Sequence, residues 1–167
     1  MRRTCDSTRR PDMKRFFRTP KGLLTIVFAP LLAVSIPYEG PAIVLPDNST
    51  VARLPGYKLW MWDGEFCGVI GLRWQRGTME LPPYCLGHIG YAVVPWKRRR
   101  GYATHALRLM LPHARAEGLP YVDVTTDATN IASQRVIAAN GGTLMERFHK
   151  PATHGGAESL RFRILLL

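Results

Sequence analysis

The order of predicted strands and helices indicates an α/β (α+β) domain, in which a mixed sheet carries helices on its faces. Aromatic and β-branched runs flank an Asp-Gly pair, and apolar residues recur at helical spacing from Ala103 onward. Strand-like runs also alternate with the two predicted helices. The chain has 167 residues, 46% of them apolar, which suffices for one compact domain and not comfortably for two.

The first predicted elements form a hairpin. Residues 58–62 and 66–74 are strand-like, and the Asp-Gly pair at 63–64 supplies the positive φ angles that a tight turn needs. A loop rich in glycine and proline follows. The next strand, residues 88–94, ends at Pro95, because proline cannot donate to a sheet ladder.

The second half of the chain alternates between helix and strand. Apolar positions from 103 to 114 predict a helix over 103–117, closed by Gly118, with Pro112 inside it at the loss of a hydrogen bond to Arg108. The remaining elements are a strand over 121–126, a helix over 131–140 stopped by two glycines, and strands over 143–148 and 159–165. Residues 37–56 are rich in proline and predict no element.

The net charge of +11 is concentrated at one end of the chain. Residues 1–21 hold eight Lys and Arg against two Asp, whereas the other residues carry only a mild basic excess. We interpret residues 1–21 as a disordered basic tail and residues 22–167 as a single domain. Docking of the tail to an acidic partner or to nucleic acid is the alternative, although the charges lack the interleaved aromatics of a single-strand binding surface.

An apolar run at residues 23–36 follows the tail. Its 14 residues, interrupted by Pro30, are too short to span a bilayer as a helix. We interpret the run as a buried strand or core segment, with a signal peptide as the alternative. We therefore expect no membrane association.

Cysteine usage favours a reducing compartment. Cys5, Cys67 and Cys85 are an odd number at wide spacing, which gives neither a disulfide framework nor a metal clip. We expect a cytoplasmic protein without a metal site, since zinc needs three or four converging donors.

A short basic loop opens the first long helix. Lys97, Arg98, Arg99 and Arg100 precede Gly101, and the helix begins directly afterwards. A helix N-terminus presents unpaired amide groups and the positive end of its dipole, which together can bind a phosphate. A solvated basic turn is the alternative interpretation.

The segment Arg98-Arg99-Arg100-Gly101-Tyr102-Ala103, together with the later block Asn130-Ile131-Ala132-Ser133, resembles two signatures of the GNAT acetyltransferase superfamily. The first signature follows a strand and opens a helix, as in that family. The second has the form found in the branch that acetylates the N-termini of ribosomal proteins. The resemblance covers residues 57–148 but lacks the two helices that members place between their first and second strands.

What the resemblance implies is the GNAT-type acyl-CoA N-acyltransferase fold: a mixed, mostly antiparallel central sheet of six to seven strands with helices on both faces. Strands 88–94 and 121–126 would splay apart to admit the pantetheine arm of acetyl-CoA. Backbone groups of Ala92, Val93 and Val94 would bind the acetyl and pantetheine groups, and Asn130 the pantetheine. The pyrophosphate would be bound by Arg98, Arg99, Arg100, Gly101, Tyr102, Ala103 and Thr104.

By the same resemblance, the chain would transfer acetyl from acetyl-CoA to a primary amine in a ternary complex. No cysteine falls in either motif, which argues against a covalent acyl-enzyme. Members commonly use a tyrosine to protonate the leaving thiolate, but Ile137 stands at that position here, so we predict Ser133 as the acid. His88 is the predicted base, with Asp123, Tyr91 or a neutral incoming amine as alternatives.

Two other functions stay open at this point. A non-catalytic acyl-CoA-binding or sensing module would keep the fold, and a nucleic-acid-binding protein would use the basic tail. The acceptor, a small molecule or peptide amine, cannot be named from the sequence. A homodimer is compatible with the pattern.

Overall fold

The computed structural model describes residues 36–37, 41–45 and 48–166. The predictions for the basic tail 1–21 and for nearly all of the apolar run 23–36 lie outside these residues. The elements in chain order are β1 (Ile36–Pro37), β2 (Ile43–Val44), β3 (Thr50–Val51), β4 (Gly56–Trp62), β5 (Phe66–Arg73), β6 (Ile89–Val93), α1 (Tyr102–Ala116), β7 (Tyr121–Asp127), α2 (Ile131–Ala138), β8 (Thr143–His149) and β9 (Glu158–Leu165).

The predicted hairpin is confirmed as the centre of a four-stranded antiparallel sheet with the order β1-β4-β5-β6. Gly64 has a φ of 103°, which provides the left-handed turn that the Asp-Gly pair predicted. Met61 pairs with Gly68, and the register then shifts by a bulge at the end of β4. The hairpin thereby brings the turn at Asp63 next to the end of β6.

A second antiparallel sheet has the order β7-β9-β8. The two sheets meet where β6 begins, because the His88 N–H donates to the Asp123 carbonyl at 2.7 Å. Together the two sheets contain six strands of five to eight residues and the two-residue strand β1. The predicted strands 121–126, 143–148 and 159–165 are all confirmed within a residue or two.

Helix α1 packs one face on the strands. Its buried positions repeat at helical spacing and comprise Ala106, Leu107, Met110 and Ala114. Pro112 lies inside the helix as predicted, and Gly118 follows its end with a φ of 81°.

The core lies between α1, α2 and one face of the sheets. On β4, Leu59 and Met61 are buried, whereas Lys58 and Trp60 alternate with them and are exposed. Ile70 and Leu72 of β5, Ile137 of α2 and the inward residues of β7 and β9 complete the same cluster. The sheet therefore has a packed face toward α1 and a second, more polar face.

Three differences from the sequence predictions concern boundaries and placement. Helix α2 ends at Ala138 rather than at residue 140, because the Asn140 side chain turns back to the Val136 carbonyl. Residues 37–56, for which no element was predicted, contain the two-residue strands β2 and β3. Among the described residues both helices lie on one face of the sheet, and loops border the second face.

Candidate functional site

Strands β6 and β7 run next to each other but belong to different sheets. They are joined at His88, whose N–H donates to the Asp123 carbonyl at 2.7 Å and whose Nδ1 accepts from the Asp123 N–H at 3.0 Å. No ladder joins β6 to β7 in the part of the chain that the structure describes. Backbone groups along this seam are therefore available to an extended ligand, as expected if strands 88–94 and 121–126 splay apart.

The loop between β6 and α1 ends in an uncapped helix N-terminus. The first hydrogen bond of α1 runs from the His105 N–H to the Gly101 carbonyl at 3.0 Å. The N–H groups of Tyr102, Ala103 and Thr104 therefore have no partner within the helix. Gly101 adds no side-chain cap, so these donors can bind an anion.

The backbone of this loop is left-handed at two residues. Arg99 has a φ of 64° and Gly101 a φ of 81°. Left-handed residues beside a helix start form concave sets of amides that bind anions. A non-glycine residue in this conformation costs free energy, which is characteristic of functional loops.

The three arginines of the loop are exposed. Arg98 folds back, and its Nε donates to the Val93 carbonyl at 3.2 Å. Val94 has both backbone groups in use, since its N–H donates to the Cys67 carbonyl and its carbonyl accepts from the Lys97 N–H. Arg99 and Arg100 supply the cationic surface closest to the α1 N-terminus.

Asp63, in the β4–β5 turn, anchors this loop. Lys97 is buried, and its Nζ donates to both carboxylate oxygens of Asp63, at 2.9 and 3.0 Å. The Tyr102 hydroxyl donates to the same carboxylate. These bonds, that from Tyr102 foremost, hold the pKa of Asp63 well below its usual range. The side chains of Lys97 and Tyr102 therefore hold the loop, and only the Tyr102 backbone is left to bind a phosphate.

Ser133 lies one turn into α2 and contacts Tyr91 of β6. The two hydroxyl oxygens are 2.8 Å apart, and the Tyr91 hydroxyl also donates to the Ser133 carbonyl at 3.3 Å. Burial raises the pKa of Tyr91, opposed by the bond to Ser133, so the phenol stays protonated at neutral pH. The pair bridges β6 and α2 beside the seam and carries two exchangeable protons.

Asn130 caps α2. Its Oδ1 accepts from the Ser133 N–H at 3.0 Å, and its side chain is exposed. The amide nitrogen of the side chain is left to donate to a ligand, in line with the predicted pantetheine contact. Asn130, and not Ser133, is therefore the residue that caps α2. Ile137 is a fully buried core residue.

His88 is 1% exposed. Because Nδ1 accepts a hydrogen bond, the neutral imidazole carries its proton on Nε2, and the Met79 backbone lies close to the ring without completing a well-aligned hydrogen bond to Nε2. Burial is the main influence and lowers the pKa of His88, although the Asp123 carboxylate opposes it. His88 is thus a neutral link between the two sheets, and its catalytic role stays a prediction.

Asp123, an alternative base, is engaged in a bidentate pair. The Arg163 guanidinium donates to its two oxygens at 2.8 and 2.9 Å and stacks over the Tyr121 ring. This carboxylate is 8% exposed. Proton abstraction by Asp123 would break the pair, which makes it a poor base.

Sequence reasoning located the loop, the helix start and Ser133, but it missed the partners of these residues. The sequence indicated Asp63 only as a turn residue and Tyr91 only as an alternative candidate for the base. The signal that could have found both is the strand register. It places the end of the hairpin beside Lys97, and it places Tyr91 on the α1 face of β6.

Metal ligands and membrane spans are both missing from the described residues. These residues contain no cluster of three or more histidine, cysteine or acidic side chains placed to hold a metal ion. None of their helices has the length and apolar character to span a membrane.

Solved structures with the same fold are acetyltransferases. One is yncA, a putative acetyltransferase from Salmonella typhimurium with its cofactor acetyl-CoA, at a TM-score of 0.54 and 16% identity over 67% of this chain and 65% of that one. Another is RimL, a ribosomal L7/L12 alpha-N-protein acetyltransferase in complex with coenzyme A, at a TM-score of 0.53 and 16% identity over 66% of this chain and 62% of that one. A GNAT-family acetyltransferase from Bacillus anthracis has a TM-score of 0.53 and 21% identity over 66% of each chain.

These structures confirm the predicted fold, a mixed α+β arrangement of the acyl-CoA N-acyltransferase type. The chain spans 65% of the length of yncA and 62% of that of RimL. No curated protein sequence matches the chain.

The family match covers the same region as the site. The acetyltransferase (GNAT) domain family matches residues 47–143, which is more than half of the chain. This stretch holds the hairpin, the seam between β6 and β7, the loop before α1, and α2. The chain therefore belongs to the GNAT acetyltransferase family.

Proposed function

We propose that this protein is an N-acetyltransferase that passes acetyl from acetyl-CoA directly to a primary amine within a ternary complex. The observation that carries the proposal is the uncapped N-terminus of α1, which lies behind exposed arginines and beside the open seam of two sheets. Family membership and the ligands of the related structures support the same substrate. We place the reaction in the cytoplasm.

The described residues fit acetyl-CoA at both ends of the seam. The amides of Tyr102, Ala103 and Thr104, with Arg99 and Arg100, match the charge of a pyrophosphate. Backbone groups of Ala92 and Val93 line the strand along which an extended pantetheine would lie, and the Asn130 amide can donate from the other side. Arg98 leaves the Val93 carbonyl when the ligand binds there.

Acetyl-CoA supplies a thioester whose sulfur departs as a thiolate and needs a proton. Ser133 Oγ donates that proton, the Tyr91 hydroxyl, 2.8 Å away, replaces it, and the resulting phenolate regains a proton from water. Because burial raises the pKa of Tyr91, the phenol enters each cycle protonated. The Tyr91–Ser133 pair therefore takes the place of the tyrosine that Ile137 cannot supply.

His88 acts in this proposal by positioning rather than by direct proton abstraction. Its ring joins the start of β6 to β7 and thereby fixes where the seam opens. Since the side chain is almost fully buried, the acceptor amine arrives neutral or loses its proton to water. If His88 were the base, the pH dependence of kcat/KM would instead show an acidic limb that depends on this residue.

The rival function that a specific observation favours is a non-catalytic acyl-CoA-binding module. Its support is the lack of an exposed base among the described residues at the seam. The test incubates the protein with acetyl-CoA and a pool of primary amines and identifies N-acetyl products by mass spectrometry. New amide products that require the protein support the transferase, whereas tight acetyl-CoA binding without any product favours the module.

A further inference from the structure

A cavity of about 410 Å³ lies on the second face of the sheet, away from α1. It is bordered by Lys58 and Gly71, which pair with each other. By the strand register, both lie on the other face of the sheet from the buried residues of β4 and β5. Loop residues Arg53 and Tyr84 and the turn residue His154 close its other sides. Its volume lies in the range of pockets that bind small molecules.

The charged side chains among the described residues that line this cavity are all basic. Arg53, Lys58 and Arg73 line it together with the titratable His154. No carboxylate stands among the described residues that line it. The positive charges of Lys58 and Arg73 in one concave site raise the local concentration of anions and repel cations.

Arg73 connects the cavity to the reaction seam. A terminal nitrogen of its guanidinium lies 3.0 Å from the point where a Cβ of Gly90 would stand, so the side chain lies over β6 where glycine leaves room for it. Ala92, on the same face, is two residues farther along the strand. At the rise of a β-strand, this places Arg73 about 7 Å from the backbone proposed to hold the acetyl group.

We infer that the acceptor is a small primary amine that also carries a carboxylate or phosphate group, separated from the nitrogen by about 7 Å. The anionic group binds at Arg73 and Lys58, and the amine reaches the acetyl group at the Ala92 end of β6. The inference rests on the proposed function, because it names the acceptor class of the same site.

The positive charges of the cavity also increase the reactivity of the acceptor amine. Positive charges near an ammonium group lower its pKa, which increases the neutral, nucleophilic fraction. Once its anionic group is bound, the acceptor therefore needs no buried base. A polyamine acceptor would instead bring a second cation into a cavity that is already positive, which costs binding free energy.

The experiment compares amines of equal length that differ only at the far end. Pentylamine, 5-aminopentanoate, 4-aminobutylphosphonate and cadaverine are each incubated with acetyl-CoA, and release of CoA is followed. We expect the two anionic amines to exceed pentylamine in kcat/KM by about 10-fold or more, the usual value of a charge-assisted hydrogen bond. We expect cadaverine to be the poorest acceptor.

Arg73→Gln is the variant that tests the binding role. The preference for 5-aminopentanoate over pentylamine should fall to about one, because the cation nearest to the reaction seam is gone. Arg76→Gln is the matched control, since Arg76 is exposed in the following loop and does not line the cavity. It should keep the full preference.

Each possible outcome of these assays either supports the inference or overturns it. A carboxylate or phosphonate preference that disappears only in Arg73→Gln supports the inference, and the stronger of the two anions identifies the class. Equal or better use of pentylamine or cadaverine overturns it, as does a preference that survives Arg73→Gln, while acetyl transfer itself still stands. Binding of acetyl-CoA with no turnover of any of the four amines also overturns it, whereas failure to bind acetyl-CoA overturns the proposed function instead.

Discussion

At the scale of single residues, the proposed chemistry of the site rests on the contact between Tyr91 and Ser133. Tyr91 and Ser133 are 42 positions apart in the sequence, and their hydroxyl oxygens are 2.8 Å apart in the structure. If they pass a proton to the leaving thiolate, Ser133→Ala and Tyr91→Phe should each lower kcat by about 10²-fold, the usual effect of removing a general acid. The KM for acetyl-CoA should change little.

Because the two hydroxyls act in series, the double variant should be no slower than Ser133→Ala alone. Steady-state kinetics of the three variants checks this. The pKa of Tyr91 is raised, so kcat in the wild type should show no loss on the alkaline side below about pH 10. Additive losses in the double variant would mean that the two side chains act independently.

His88 leads to a prediction about stability. Burial lowers its pKa, so the unfolded chain binds a proton that the folded protein does not take up. The stability that the neutral ring provides is complete above the unfolded value of about 6.5 and is lost as the pH falls toward the lower folded value. Urea unfolding between about pH 5 and 8 should show this slope in the wild type.

His88→Asn should remove most of that slope, because its side-chain oxygen can still accept from the Asp123 N–H but does not titrate. His149→Asn, at an exposed position of β8, is the control and should leave the slope in place. A slope that persists unchanged in His88→Asn would show that another group titrates.

The same variants separate positioning from base catalysis. A positioning residue should tolerate His88→Asn and lose activity in His88→Ala, whereas a base would lose about 10²-fold in kcat in both. The dependence of kcat/KM on pH completes the comparison. Loss of an acidic limb in His88→Asn would identify His88 as the base, as the sequence predicts.

At the scale of elements, the hairpin turn anchors the loop between β6 and α1 through Asp63. Removing this charge should release Lys97 and Tyr102 and let the loop move. Asp63→Asn should therefore weaken CoA binding by about 10-fold, the usual effect of losing a charge-assisted bond that orders a site. Calorimetric titration with CoA measures this.

Glu65→Gln is the control for that change, since Glu65 contacts Lys97 at 3.2 Å but its side chain is 70% exposed. Exposed ion pairs contribute little, so its effect should be small. Equal affinities of Asp63→Asn and the wild type would show that the loop holds its conformation without the anchor.

Gly101 separates a binding effect from a backbone effect. It has a φ of 81° with open space where a Cβ would stand, and Gly118, at the other end of α1, has the same φ and the same open space. Replacing either by alanine should cost about 1 kcal/mol of stability, because the left-handed region disfavours a Cβ. Only Gly101→Ala should also weaken CoA binding, as judged by thermal unfolding with and without CoA.

An equal loss of CoA affinity in Gly118→Ala would mean that Gly101 acts through the stability of α1. Unchanged affinity in Gly101→Ala would mean that the loop tolerates a side chain there. Either result would remove the phosphate role from Gly101.

Local sequence signals predicted the elements well and their mutual contacts poorly. The Asp-Gly pair, the spacing of apolar residues and the glycines after each helix gave the hairpin, α1 and α2, because these signals act over a few residues. Asp63 with Lys97, and Tyr91 with Ser133, are contacts between distant segments, and only the strand register brings them together. The short strands β2 and β3 escaped prediction because two residues show no period.

At the scale of the whole molecule, we propose that the two sheets and the cationic loop before α1 together bind an extended anionic thioester. The predicted basic tail, residues 1–21, is not among the described residues. Deleting these residues should leave CoA affinity unchanged, while any binding to nucleic acid should vanish along with its salt dependence. Loss of CoA binding in the truncated protein would place the tail within the site. A homodimer stays a prediction, which sedimentation can check.

The measurement that tests the central claim most directly is a calorimetric titration of the full chain with acetyl-CoA, beside a variant in which Arg98, Arg99 and Arg100 are all glutamine. We predict saturable binding with one site per chain, weakened about 10-fold or more in the variant because the pyrophosphate loses its charge partners. Absence of binding heat at millimolar acetyl-CoA, or equal affinity in the two proteins, would contradict the assignment of the α1 N-terminus as the acetyl-CoA site.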